Sequence, residues 1–126
     1  MQIVRSGETR LTETPAAAMT TLASPTLGGA ATSVWRVDVG PDAPAGPAHV
    51  IDAEQIWTFL AGSATVTTPE VTTTLGEGDT VVLPAHLTRQ ITPAPGTGFS
   101  AVVTAPARAA AALPGSDAFQ TPPWIS

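Results

Sequence analysis

The chain has 126 residues with five Arg, no Lys, ten acidic residues and no Cys, for a formal net charge of −5. That length suits one domain with its own core, and the absence of Cys excludes disulfides and thiolate chemistry. The acidic balance argues against nucleic acid or anionic lipid as partners, because both require clustered cations. The N-terminal "MQIVRSGETRLTETP" carries no apolar signal region and no run approaches about 18 apolar residues, so a cytoplasmic protein without membrane association is expected. Abundant Ala, Thr, Pro and Gly with no Lys suggests a GC-rich bacterial coding bias and says nothing of function.

Thirteen Pro and eleven Gly divide the chain into short runs rich in Val, Thr and Ile. In chain order the β-prone runs are "MQIV", "MTTLA", "TSVWRVDV", "AHVI", "EQIWTFLAG", "ATVTT", "VTTTL", "DTVVLP", "LTRQIT" and "GFSAVVTA". Many short strands between turn residues, with no sustained helical periodicity, predict an all-β antiparallel sandwich or barrel. In "HVIDAEQIWTFL" the odd positions His49, Ile51, Gln55, Trp57 and Phe59 share one face of a regular strand. Asp52, Glu54 and Thr58 lie on the other face, together with Ile56 and Leu60, so that face is partly covered too. "GEGD" at 76–79 reads as a tight turn and "LPA" at 83–85 as a second break. Residues 106–126 lack a strand pattern; the Ala stretch allows one or two helical turns, and "TPPWIS" is extended. No repeat, linker or second domain is visible, so 1–126 is read as one unit.

At this point two boxes resemble those of the cupin family. Its first box is G-x5-H-x-H-x(3,4)-E-x6-G and its second G-x5-P-x-G-x2-H-x3-N. Here "HVIDAEQIWTFLAG" supplies His49, then Gln55 six residues before Gly62, and "GDTVVLPAHLTR" supplies Gly78 and Pro84 at matching spacing. The resemblance covers about residues 30–105 and implies a double-stranded β-helix, a jelly-roll type of barrel. It also implies where a metal would sit in metal-binding members, which use three His and one Glu. This chain keeps the first His as His49, but Ile51 stands at the second, Gln55 at the Glu, Arg89 at the third His and Pro93 at the closing Asn. His86 falls at the second box's Gly and by the resemblance points away from the pocket.

A catalytic transition-metal site needs about three His or carboxylate ligands. His49 is one, Gln55 is a weak neutral donor and Arg89 cannot ligate, so no metal and no other cofactor is expected. A divalent ion held through His49 is the lesser alternative and would require Asp52, Glu54 or His86 to turn inward. Arg89 either clamps a ligand carboxylate, enolate or phenolate, or sits at the rim paired with Asp52, Glu54 or Glu70. His49 is either a general acid/base facing the same cavity or a neutral, hydrogen-bonded core residue. Gln55 orients His49 or a substrate carbonyl, or satisfies nearby backbone. Trp57, Phe59, Ile51 and Trp35 line a pocket for a small ligand or serve as core. Arg36 has an ambiguous register, and Trp124 caps the barrel or, preferably, packs on a partner chain.

The function these residues suit is metal-independent proton-transfer chemistry on a small anionic or polar organic molecule: isomerisation, cyclisation or lyase chemistry. His49 and Arg89 are the catalytic candidates, and Gln55, Trp57, Phe59, Ile51 and Trp35 the substrate-binding ones. A non-catalytic ligand sensor, and a metal-dependent oxygenase or isomerase with an atypical site, stand as alternatives. The apolar outward residues Ile56 and Leu60 lead to an expected homodimer.

Overall fold

A computed structural model describes all 126 residues, Met1 to Ser126. After one 3-10 turn at Ser6–Glu8 come ten strands: β1 Arg10–Glu13, β2 Ala18–Ala23, β3 Thr32–Val39, β4 Val50–Ile51, β5 Gln55–Thr67, β6 Thr72–Gly76, β7 Thr80–Leu83, β8 Gln90–Pro93, β9 Phe99–Pro106 and β10 Ala111–Ala112. All ladders between them are antiparallel. One sheet runs β1-β2-β3-β9-β5, with β7 on the far side of the first half of β5. The second half of β5 leaves that sheet and pairs with β6 and β8. Past β8 the second sheet continues through a bridge between His49 and Arg89 to β4, which pairs with β10.

β5 is therefore the strand that turns the corner between the two sheets. The ladder to β9 shifts register between Phe59 and Ala61, a bulge of the kind that bends a strand. Gly62 follows with φ +71°, and a Cβ there would collide with the carbonyl oxygen of Gly98 and come within 2.9 Å of Phe99 Cα. Gly98, itself at φ +64°, would place a Cβ against the Val39 carbonyl. Three backbones thus meet where only glycine fits. The bulge also switches the buried parity: Gln55 and Phe59 are buried before it, Ala64 and Val66 after it.

Strict alternation builds the core. Phe99, Ala101, Val103 and Ala105 of β9 are buried, with half-buried Ser100, Val102 and Thr104 between them. Ser33, Trp35 and Val37 do the same on β3. Phe59 is fully enclosed and meets Phe99 edge-on at 5.4 Å, a burial that contributes about 2–3 kcal/mol. No helix is long and apolar enough to cross a membrane.

Several expected segments come out differently. "MQIV" is not a strand, and the first strand is Arg10–Glu13, which no β-rich composition marked. "EQIWTFLAG" and "ATVTT" fuse into the single strand β5 because the Gly62 bend turns the chain without breaking its ladder. The Ala stretch forms β10 instead of helical turns: Pro106 and Pro114 leave too few residues to repay helix nucleation, and the free edge of β4 offers backbone partners instead. Arg36 is exposed and pairs with Asp38 at 3.1 Å, which resolves its register outward. Leu60 is exposed on the outer face, with Ile56 half-buried beside it.

Candidate functional site

The two sheets enclose a cavity of about 530 Å³ lined by residues from both. Its one polar cluster is set by the bridge between the sequence boxes. His49 and Arg89 exchange both backbone hydrogen bonds, at 2.8 and 2.9 Å. Such a pair in antiparallel geometry puts both side chains on one face, here the cavity face. Gln55 opens β5 beside them, and all three line the cavity.

Arg89 is only 4 % exposed. Its Nη1 donates to the Leu87 carbonyl at 2.8 Å and its Nη2 to Gln55 Oε1 at 3.4 Å. No carboxylate reaches it: the single ion pair in the chain is the surface pair Arg36–Asp38. The rim pairing entertained for Arg89 is thereby corrected. Asp52 instead accepts from the Ala110 N–H at 2.7 Å and ties the C-terminal segment to β4, while Glu54 and Glu70 are exposed. Burial lowers the Arg89 pKa to about 10, so the guanidinium remains charged at neutral pH without a counter-ion.

His49 is half-buried, and its pKa is lowered first by burial and then by the Arg89 charge; a hydrogen bond to the Pro47 backbone acts in the opposite sense. A ring whose pKa is lowered in this way is neutral near pH 7, and one of its two nitrogens is then a proton acceptor. Gln55, also buried, takes the Trp57 Nε1–H at 3.2 Å on the same Oε1 that faces Arg89. Neither neighbour can accept, so both fix the amide with oxygen toward them, and its NH2 makes no hydrogen bond within the protein. The cluster thus offers donors from Arg89 and Gln55 and a base from His49.

Elsewhere the wall is apolar. Trp35, Ile51 and Trp57 line it as expected from the sequence. Phe59 does not: it lies behind the wall with no exposed surface, stacked on Trp57 at 6.4 Å, and supports that ring from the core side. Trp124, expected to pack on a partner chain, instead lines the cavity with Pro122 and Ile125. The segment carrying it is held by Thr21 Oγ1 donating to the Trp124 carbonyl at 2.8 Å and by the buried Ser33 hydroxyl on the Ile125 carbonyl. Met19 of β2, Val37 and Val39 of β3 and Phe99 of β9 also line it. Alternation in β3 and β9 could have revealed the last three; nothing local points to the tail. His86 stands outside, at φ +65° with its ring edge-on to Phe119.

The donor set does not fit a metal. It comprises one imidazole, an amide oxygen already occupied by two donors, and a guanidinium. No three His, Cys, Asp or Glu side chains come together anywhere in the chain. A cation beside charged Arg89 would be repelled by a few kcal/mol at an effective dielectric near 20.

No protein-family model and no curated protein matches the chain. Solved structures do. The polyketide cyclase RemF from Streptomyces resistomycificus superposes with a TM-score of 0.70 at 21 % identity, over 84 % of this chain and 79 % of that one. An RmlC-like cupin from Shewanella frigidimarina gives 0.71 at 18 %, over 86 % and 93 %. The DMSP lyase DddQ from Ruegeria pomeroyi gives 0.71 at 19 %, over 88 % of this chain and 64 % of its own. Identity at this level speaks for architecture alone, and with the two sheets joined through β5 it is decisive on that point: the chain has the cupin fold.

Proposed function

We propose that the cavity binds a small organic anion or a polarised carbonyl compound on Arg89 and Gln55, and that His49 moves a proton on it. The observation that carries this reading is the buried, charged Arg89 with no carboxylate partner beside a neutral imidazole. An unpaired interior charge costs stability that nothing in the fold returns, and a bound anion would repay it through charge-assisted hydrogen bonds. As a carbonyl compound loses a proton from the adjacent carbon, charge develops on its oxygen. Donors already aimed at that oxygen stabilise the enolate more than the ketone, and the free nitrogen of His49 takes the proton. The same proton returned at another carbon gives isomerisation; expulsion of a leaving group gives elimination; attack on a second carbonyl gives ring closure. The cyclase and lyase activities named for two structural neighbours fall within this range.

Deuterium exchange tests the scheme. Phenylpyruvate and 3-benzoylpropionate each carry a carboxylate and ketone-activated C–H bonds. In D2O, proton NMR should show the wild type accelerating loss of those signals at least tenfold over His49→Gln. Equal rates for every compound that binds would sink the proton-transfer step and leave a binding protein.

A further inference from the structure

Resting on that reading of Arg89, we infer that the ligand is an amphipathic monoanion: a single carboxylate, phenolate or enolate head on a flat, ring-containing apolar body. Charge sets the head. Arg89 is the only cation on the cavity wall, and no Asp or Glu lines it, so the site balances one negative charge and offers nothing to an ammonium group. Chemistry sets the body. Beyond His49, Gln55 and Arg89 the wall is built from Trp35, Val37, Ile51, Ile91, Phe99 and similar side chains. Hydroxyl groups distributed along a sugar or polyol would lie against those side chains without partners, each at a cost that excludes tight binding. Two indoles, Trp57 and Trp124, are half-buried on this wall and offer ring surface to a flat ligand.

Size follows from the volume. At interior packing density a 530 Å³ space takes roughly 20 non-hydrogen atoms, which is two or three fused rings with their substituents. The rim argues for selection by shape. Pro15, Pro44, Pro47, Pro93 and Pro122 all line the cavity, and proline's fixed φ leaves such segments little freedom to adapt to a bulky or branched ligand.

The test is isothermal titration calorimetry on the full chain with four probes: 2-naphthoate, its neutral counterpart 2-naphthalenemethanol, pyruvate and gluconate. The expected order places 2-naphthoate at least tenfold tighter than 2-naphthalenemethanol and at least a hundredfold tighter than pyruvate or gluconate. In Arg89→Met the naphthoate and the alcohol should bind alike. Pyruvate or gluconate binding as tightly as naphthoate, with both lost in Arg89→Met, would overturn the apolar body while leaving the anion site intact. The alcohol matching naphthoate in the wild type would overturn the anion site itself, and that comparison needs no variant to fold. No binding of any probe would overturn the inferred class.

Discussion

Replacing Arg89 by Met should make the protein more stable, the reverse of what removal of a buried arginine ordinarily does. Burial lowers its pKa to about 10, which corresponds to about 3 kcal/mol of unfavourable burial. Because the guanidinium looks into a cavity with an exposed rim, solvent screening reduces this to about 2 kcal/mol. Against it stands the hydrogen bond to Leu87, whose residue is half-exposed, so water can take over that carbonyl at a cost of about 0.5 kcal/mol. The contact to Gln55 at 3.4 Å is long and adds little, and Gln55 keeps Trp57 as a partner. Met fills much of the space left by the arginine stem. The net gain is about 1–2 kcal/mol, or a rise in Tm of roughly 4–8 °C for a chain of this size. Circular-dichroism melts in Tris-chloride, without carboxylate or phosphate, measure it. Arg36→Met serves as control, since its surface pair with Asp38 should move stability by no more than about 0.5 kcal/mol. A fall in Tm for Arg89→Met would mean that the charge is compensated within the fold, and the argument for an anion site would lose its basis.

Other expectations follow from the same geometry. Gln55→Glu supplies the missing carboxylate beside Arg89, so Tm should rise while 2-naphthoate binding weakens at least tenfold; retained binding would count against a clamp at this position. The His49 pKa is lowered in the folded state, so its contribution to stability is present above pH 6.5 and is lost as pH falls through the folded value. The ring-proton NMR titration should therefore have its midpoint below 6.5, and should move up in Arg89→Met without reaching 6.5, because burial is the larger cause. Gly62→Ala drives a Cβ into the Gly98 carbonyl at a positive φ and should cost about 2–4 kcal/mol in urea denaturation. Trp124→Ala should weaken naphthoate binding at least tenfold while leaving the His49 titration in place; unchanged affinity would remove the tail from the binding wall.

The fold was readable because its signals are local. Turn residues, period-two runs and the spacing from His49 through Gln55 to Gly62 survive in one sequence without any knowledge of contacts. That His49 and Arg89 would face one cavity was also implied by the two boxes, although the backbone bridge that pairs them was not. What could not be read depends on long-range pairing. Ala111 and Ala112 have helix-forming composition, and only the edge of β4 makes them a strand. Phe59 has the parity of a pocket residue, yet Trp57 and Phe99 close over it, and alternation alone cannot separate a wall from the layer behind it. Trp124 reaches the cavity through hydrogen bonds to residues roughly ninety to a hundred positions earlier, from Ser33 and Thr21. Whether Arg89 had an acid partner was likewise a question of reach, settled when Asp52 turned to Ala110 instead.

The corner strand has a kinetic meaning. β5 pairs with β6, β7, β8 and β9, so neither sheet can be completed before it is in place, and neither can fray far while it stays. Its partners are distant in sequence on the β9 side, which makes for slow, cooperative folding with few stable partial forms. Amide protons along its middle should exchange only when the whole molecule opens. Gln55 and Trp57 stand on the first turns of that ladder. That part of the cavity wall is therefore tied to the last part of the molecule to come apart, and with the prolines stiffening the rim a ligand meets a wall that yields little on either side.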